Sequence, residues 1–175
     1  MSASLDDLRA KILEVSDFPE AGLSFQDLSL LLADPDCFRT AVDLLADWAR
    51  PKKPEIVLGA EAGGFVLGGT LAYVLGTGFV AARRPDLPQG EAVRADWDMG
   101  GDTDSLDLSA GLIPSGARVL VHDDLLATGA TAQAKVELVE RLGGEVVGIA
   151  FVVELQLLNG RRRLADHAVH SLIKL

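Results

Sequence analysis

The stretch from Arg118 to Thr131 constrains the fold more than any other part of the chain. It begins with a run of apolar residues up to His122, continues with two adjacent aspartates, Asp123 and Asp124, and then contains only small and apolar residues. The apolar run predicts a buried strand, and the residues from Thr131 onward predict a helix. A strand that passes through a short loop into a helix is the building unit of an α/β protein.

The rest of the chain repeats this alternation of strands and helices. The strand candidates are apolar throughout rather than alternating, so we expect a parallel sheet that is covered by helices on both faces. Residues 16–34 are predicted to be irregular. Predicted helices are 4–15, 35–49, 63–75 and 131–142, and predicted strands are 56–58, 79–81, 118–122, 146–153 and 171–174.

Size and composition favour one soluble domain over residues 1–175. The chain is 49% hydrophobic, which excludes intrinsic disorder, and its formal net charge of −10 argues against binding to nucleic acid. Its one cysteine, Cys37, excludes a disulfide framework and a cysteine-built metal site. We find no signal-like start and no apolar stretch long enough to cross a membrane, and therefore expect a cytoplasmic protein with no membrane partner.

The acidic residues are concentrated between residues 86 and 110. This segment has seven acidic residues and one basic residue, Arg94, so it carries −6 of the net charge of −10. It also contains Pro88, Gly90, Gly100 and Gly101, which favour turns. We expect a flexible loop with at most a hairpin.

The carboxyl edge of a parallel sheet is where ligands of α/β proteins bind, and the segment after Asp124 lies at that edge. A helix N-terminus offers free N–H groups to a phosphate, and Gly129 allows the backbone to approach it closely. Two carboxylates would repel a phosphate, but they suit the hydroxyls of a sugar attached to it, or a metal ion. The sequence therefore indicates a sugar phosphate, and an ordinary helix after an acidic strand end is the alternative. Neither a P-loop nor a dinucleotide fingerprint is present.

Val119–Thr131 resembles the phosphoribosyl pyrophosphate motif of type I phosphoribosyltransferases, in the form found in the adenine branch. Further segments follow in the same order as in that family, so the resemblance covers nearly the whole chain. It implies the type I fold, with a central parallel sheet, an N-terminal base-binding hood (16–34) and a flexible hood loop (86–110). The further matching segments are 17–27, 32–35, 59–65, 78–80, 151–155 and 158–161.

The resemblance implies a magnesium-assisted transfer of ribose 5-phosphate from phosphoribosyl pyrophosphate to a purine base, with a homodimer as the active unit. It places Asp123 and Asp124 on the ribose hydroxyls as the catalytic pair. It implies that Mg²⁺ binds through phosphoribosyl pyrophosphate, with no metal held directly by the protein. The 5-phosphate would lie on Ala127, Thr128, Gly129, Ala130 and Thr131; the pyrophosphate near Arg83, Arg84, Ala62 and Gly63; and the base near Leu23, Phe25 and Gln26.

The chain departs from the family pattern at the pyrophosphate loop and in the hood loop. The family has an arginine at the position of Gly63, and a glutamate that aligns with Gly100 when the pattern is set on Asp104. The base-pocket cation is replaced by Gln26. The resemblance therefore leaves two alternatives to a salvage enzyme acting on adenine: a weakly active or regulatory relative that binds nucleotide, or a transferase with another acceptor base.

Overall fold

The structure of the chain is a computed structural model, and it describes residues 3–16, 24–85, 91–98 and 103–175. The chain divides into two compact units, Met1–Leu44 and Leu45–Leu175. Within the described ranges, no helix has the length and apolar character needed to span a membrane. The elements in chain order are α1 (Leu5–Ala10), β1 (Leu13–Ser16), β2 (Ser24–Asp27), α2 (Ser29–Ala33), α3 (Pro35–Ala49), β3 (Ile56–Ala60), α4 (Gly63–Leu75), β4 (Gly78–Ala82), β5 (Ala92–Asp98), β6 (Thr103–Ser109), β7 (Arg118–Leu126), α5 (Ala130–Arg141), β8 (Glu145–Glu154) and β9 (Val169–Lys174).

The first unit differs from the predicted helix over 4–15 and the predicted irregular stretch over 16–34. Helix α1 starts at a capping box between Ser4 and Asp7 but ends at Ala10. The residues after it form β1, which pairs antiparallel with β2. The prediction was wrong here because Leu13 and Val15 fit the alternation of a hairpin strand as well as they fit a helix face. Helix α3 confirms the predicted 35–49.

A parallel sheet of five strands forms the centre of the second unit and confirms the predicted architecture. The strand order is β4-β3-β7-β8-β9, and each neighbouring pair is parallel. Residues from β7, α5 and β8 share one buried cluster, whereas His122 of β7 lies beside Gly68 of α4. Because side chains alternate between the faces of a strand, α5 and α4 cover opposite faces of the sheet.

Strand β7 is longer than predicted, and this changes the position of the two aspartates. It extends from Arg118 to Leu126 and pairs with β8 as far as Leu126 opposite Glu154. Asp123 and Asp124 therefore belong to the last part of the strand instead of following it. The backbone at this point is fixed by its strand neighbour, so the two side chains have a defined direction.

Strands β5 and β6 form an antiparallel hairpin within the acidic segment, as the sequence allowed. Arg94 of β5 makes a bidentate pair with Asp107 of β6, with Nε–Oδ1 and Nη2–Oδ2 distances of 2.7 and 2.8 Å. The Arg94 guanidinium also lowers the pKa of Asp107, chiefly through this side-chain hydrogen bond. The single cation of the acidic segment is thus used to hold its own hairpin together.

The carboxyl end of β8 is joined to β9 by an ion-pair network that the sequence did not indicate. Arg161 donates from Nε to Glu154 at 3.0 Å and from Nη1 to the Val169 carbonyl at 2.8 Å. Ser171 donates its hydroxyl to the same Glu154 at 2.8 Å. Arg161 supplies the counterion that the buried Glu154 requires.

We predict that Arg161→Met destabilises the protein at neutral pH by about 2 kcal/mol, because it leaves Glu154 buried without its partner. Arg161 is partly exposed, which keeps the loss below that of a fully buried pair. Arg161 lowers the pKa of Glu154 from its ordinary value of 4.5. This stabilisation is therefore present above pH 4.5 and is lost as the pH falls through the lowered pKa.

Urea unfolding at several pH values measures this difference, with Arg162→Met as the matched control because Arg162 is exposed and adjacent. An equal loss of stability in both variants, or a loss that does not change with pH, would contradict the assignment.

Candidate functional site

The two aspartates of β7 lie at the carboxyl edge of the sheet, beside the start of α4. Gly59 at the end of β3 and Gly64 in the first turn of α4 are in such close contact that a Cβ at Gly59 would collide with the Gly64 carbonyl. A Cβ at Gly64 would in turn lie 3.0 Å from Oδ1 of Asp123. Strand β3, the first turn of α4 and strand β7 therefore approach one another closely at this edge, and the carboxylates of β7 lie beside the start of α4.

Asp123 is paired with a lysine that is completely buried. Lys135 of α5 contacts Asp123 Oδ2 through Nζ in a short charge-assisted bond, and it also donates to the His122 carbonyl at 3.2 Å. The side chain of Lys135 is 0% exposed and that of Asp123 is 14% exposed. A buried ammonium needs both a counterion and hydrogen-bond acceptors, and it finds them here.

Asp124 has a different environment although it is the next residue. Its carboxylate occupies the space beside Gly63, where a Cβ would overlap it and would lie 2.6 Å from Oδ1. Burial, and secondly the charge of Asp123, raise the pKa of Asp124 from 3.8 to about 6. The structure thus separates two neighbouring acids: Asp123 has a counterion, and Asp124 titrates near neutrality.

The imidazole of His122 is buried and uncharged. Burial lowers its pKa from 6.5 to about 4. His122 is completely buried on the α4 side of the sheet, next to Gly68. A buried side chain of this kind packs the interior of the sheet.

The predicted phosphate loop, residues 127–131, links β7 to α5. Gly129 has a φ of 82° and is the residue before the helix, a conformation that favours glycine. The Thr128 hydroxyl accepts a hydrogen bond from the Ala130 amide at 3.5 Å, within the loop itself. Ala130 begins α5, so the free N–H groups of the first turn lie at the loop, as a phosphate site requires.

Gly160 supports this loop from the far end of the chain. A Cβ at Gly160 would collide with the Ala127 carbonyl and would lie 2.8 Å from the Gly129 amide nitrogen. The Gly160 carbonyl in turn leaves no room for a side chain on Gly129. Two backbones are therefore in direct contact, and Gly160 is adjacent to Arg161 of the network described above.

The residues predicted for pyrophosphate lie at the start of α4 and just after β4. Ala62 precedes α4 and follows a cis peptide bond from Glu61. Arg83 pairs through its backbone with Asp107 of β6, with N–O distances of 2.9 and 2.7 Å. Arg84 forms an ion pair with Asp104 at 3.4 Å.

The predicted base-binding residues belong to the first unit. Phe25 and Gln26 lie in β2; the Phe25 side chain is 45% exposed, whereas Gln26 is buried. Leu23 lies outside the described residues. The hood residues Gly100 and Gly101 also lie outside them, so the alignment of the family glutamate with Gly100 stays a prediction.

Two residues of the site were missed from the sequence. Lys135 was passed over because a lysine on a helix is usually solvated. Its spacing four residues after Thr131 and three before Leu138 places it on the inward face, and this was the available signal. Gly160 gave no comparable signal, because its contact with the loop joins positions about thirty residues apart.

Comparison with known proteins decides the family. The phosphoribosyl transferase domain matches residues 35–171. The chain belongs to the phosphoribosyltransferase family. The adenine phosphoribosyltransferase of Solibacter usitatus is 46% identical over 170 residues, which cover 97% of this chain and 98% of that protein. The β7–α5 segment with its acid pair lies inside the matched region, as the sequence resemblance predicted.

Solved structures support the same assignment. The adenine phosphoribosyltransferase of Thermoanaerobacter pseudethanolicus superposes with a TM-score of 0.94 at 39% identity, covering 98% of this chain and 100% of that chain. The enzyme from Saccharomyces cerevisiae, solved with adenine and an iminoaltritol bisphosphate, gives a TM-score of 0.90 at 33% identity, covering 96% and 97%. The type I phosphoribosyltransferase fold that the resemblance implied is thereby confirmed.

We predict that Asp124→Asn makes the phosphoribosyltransferase more stable at pH 7 but not at pH 4. A carboxyl whose pKa rises to about 6 on folding favours the folded state below its unfolded pKa, and this contribution is lost as the pH rises through 6. The resulting cost of the ionised Asp124 at pH 7 is roughly 3 kcal/mol.

The free energy of unfolding of wild type and Asp124→Asn, measured between pH 4 and pH 7.5, checks this. The gain should grow across that interval. Asp36→Asn serves as the control, since Asp36 is exposed at the start of α3. A gain for Asp124→Asn that is independent of pH would show that its carboxyl titrates normally.

Proposed function

We propose that the chain is an adenine phosphoribosyltransferase that converts adenine and phosphoribosyl pyrophosphate into AMP and pyrophosphate. The observation that carries the proposal is the acid pair of β7 followed by a glycine-bearing loop at the N-terminus of α5. Relatives named adenine phosphoribosyltransferase match over almost the entire chain. The reaction breaks the bond between C1′ of the ribose and the pyrophosphate oxygen, and forms a bond from C1′ to a ring nitrogen of adenine.

The phosphate loop and the acid pair would bind the two ends of the ribose 5-phosphate. The N–H groups of residues 127–131 suit the 5-phosphate, and the Thr128 and Thr131 hydroxyls add donors. Asp123 and Asp124 would accept hydrogen bonds from the ribose hydroxyls. Because the sugar is held at both ends, C1′ would have a fixed position at the sheet edge, and such fixation is a large part of the rate gain in group transfer.

The pyrophosphate and the base are the two groups that C1′ exchanges in this reaction. The Arg83 and Arg84 side chains would approach the pyrophosphate, for which Arg84 has to exchange Asp104 for the ligand. On the base side, the Phe25 ring would pack on adenine and Gln26 would offer its amide to the ring edge. Adenine is the base bound in the yeast relative.

Magnesium is the cation we expect with phosphoribosyl pyrophosphate. Among the described residues, no group of three or more His, Cys, Asp or Glu side chains could form a metal cage. Mg²⁺ commonly retains several waters and binds substrate phosphates, so it needs no such cage. Bound through phosphoribosyl pyrophosphate, the ion would neutralise the departing pyrophosphate.

We also propose a homodimer in the cytoplasm, with no nucleic-acid or membrane partner. Two large side chains of helix α4 are exposed: Val66 at 50% and Tyr73 at 87%. Because they are seven residues apart, they lie on the same face of the helix. Large apolar side chains in this spacing favour a helix face that a second copy covers. The single-domain interpretation of residues 1–175 stays part of this proposal.

The proposal predicts that adenine, phosphoribosyl pyrophosphate and Mg²⁺ give AMP and pyrophosphate in equal amounts. A chromatographic assay with adenine, hypoxanthine, guanine and xanthine measures the reaction and the acceptor together. Turnover only with another base would change the acceptor and keep the enzyme class. If no base reacts at high enzyme concentration, the proposed activity is wrong.

A regulatory relative that binds nucleotide is the second candidate, and Gly63 is the observation that favours it. The family arginine is absent there, and the Asp124 carboxylate occupies the space that a side chain would need. Arg94 is paired with Asp107, so it would have to give up that carboxylate to replace the missing cation. Binding of AMP or phosphoribosyl pyrophosphate in calorimetry without any turnover would support this candidate over the enzyme.

We predict that Gly63→Arg binds phosphoribosyl pyrophosphate more tightly than Gly63→Ala does. Both variants displace the Asp124 carboxylate, so Gly63→Ala is the matched control. The difference in KM between the two variants then reports the effect of the guanidinium alone. A charge-assisted bond to phosphate contributes about 1.5–3 kcal/mol, which corresponds to roughly tenfold or more in KM. Equal KM values for the two variants would show that a missing arginine does not limit pyrophosphate binding.

A further inference from the structure

The completely buried ammonium of Lys135 is the charged group in the site that the proposed reaction does not use. Removal of a lysine from water costs free energy, and an apolar side chain of similar size would fill the same space without that cost. Lys135 nevertheless extends to Asp123 Oδ2 and to the His122 carbonyl. We therefore expect the charge of Lys135 to act on Asp123.

The contacts of Asp123 restrict its carboxylate on both sides. Oδ2 is bound to Lys135, and Oδ1 lies over Gly64, where a Cβ would be 3.0 Å away. The side chain keeps a small exposed fraction of 14% at the sheet edge. Asp124, by contrast, lies in the space beside Gly63, where a Cβ would overlap its carboxylate. The two carboxylates thus have different surroundings, Lys135 for Asp123 and the space beside Gly63 for Asp124.

We propose that Lys135 is a positioning residue that determines specificity for ribose over deoxyribose. It holds Asp123 in one orientation, so that the free lone pairs of this carboxylate meet one ribose hydroxyl of the substrate. This inference rests on the proposed function, because it takes a ribose 5-phosphate as the ligand. A carboxylate that was free to rotate would lose part of this hydrogen bond, whereas the phosphate contacts would stay.

The test compares the binding of AMP, 2′-deoxy-AMP and 3′-deoxy-AMP to wild type and to Lys135→Met by calorimetry. Wild type should prefer AMP over the analogue that lacks the hydroxyl bound by Asp123 by roughly tenfold or more, as expected for a charge-assisted bond. In Lys135→Met this preference should fall to about threefold or less because AMP binds more weakly, while the affinity for that analogue changes little. Lys53→Met, at an exposed lysine, should retain the wild-type preference.

A loss of affinity in Lys135→Met that is equal for all three nucleotides would overturn the proposal, since it would show a merely structural role. If wild type binds none of the nucleotides, the proposed function fails instead, and the two failures are distinguishable.

A second comparison applies if Lys135→Met does not fold. The double variant Asp123→Asn/Lys135→Met leaves neither an unpaired carboxylate nor an unpaired ammonium at this position, and Asp123→Asn alone keeps the contact of Lys135 with the His122 carbonyl. When Lys135 acts through Asp123, both variants should show the same reduced preference for AMP. A further fall in the double variant would mean that Lys135 acts independently of Asp123, and the proposal would be wrong.

Discussion

The pairing of Lys135 with Asp123 beneath the sheet edge is the interaction on which the rest of the site depends. Two adjacent carboxylates on one strand repel each other, and burial increases that repulsion because the interior screens charge poorly. The structure meets this by giving one acid a counterion and letting the other hold its proton more tightly. Charge is thus distributed within the protein before any substrate arrives.

Much of the fold follows from the sequence because its signals are local. Helix α4 matches the predicted 63–75, and the five parallel strands were expected from their uninterrupted apolar runs. The sequence was ambiguous where two periods fit equally well, as at Leu13 and Val15. These residues form a strand rather than a helix, because β2 pairs with them.

The site was predictable only to the extent that it is contiguous. Asp123, Asp124 and residues 127–131 follow one another in the chain, and a motif of that kind is visible in a single sequence. The overlap of Asp124 with the space at Gly63 joins positions about sixty residues apart, and no local pattern encodes it. The same applies to Lys135, whose position on a helix is predictable but whose partner is not.

The backbone contact between Gly160 and the predicted phosphate loop joins that loop to the C-terminal part of the chain. The segment after β8 contacts the loop through Gly160, and Arg161 binds that segment to β8 and β9. If residues 127–131 hold the phosphate as proposed, sequence variation around Gly160 would change the affinity for it without any change in those five residues. Sequence comparisons of substrate preference in this family would therefore have to consider residues 127–131 and the segment around Gly160 together.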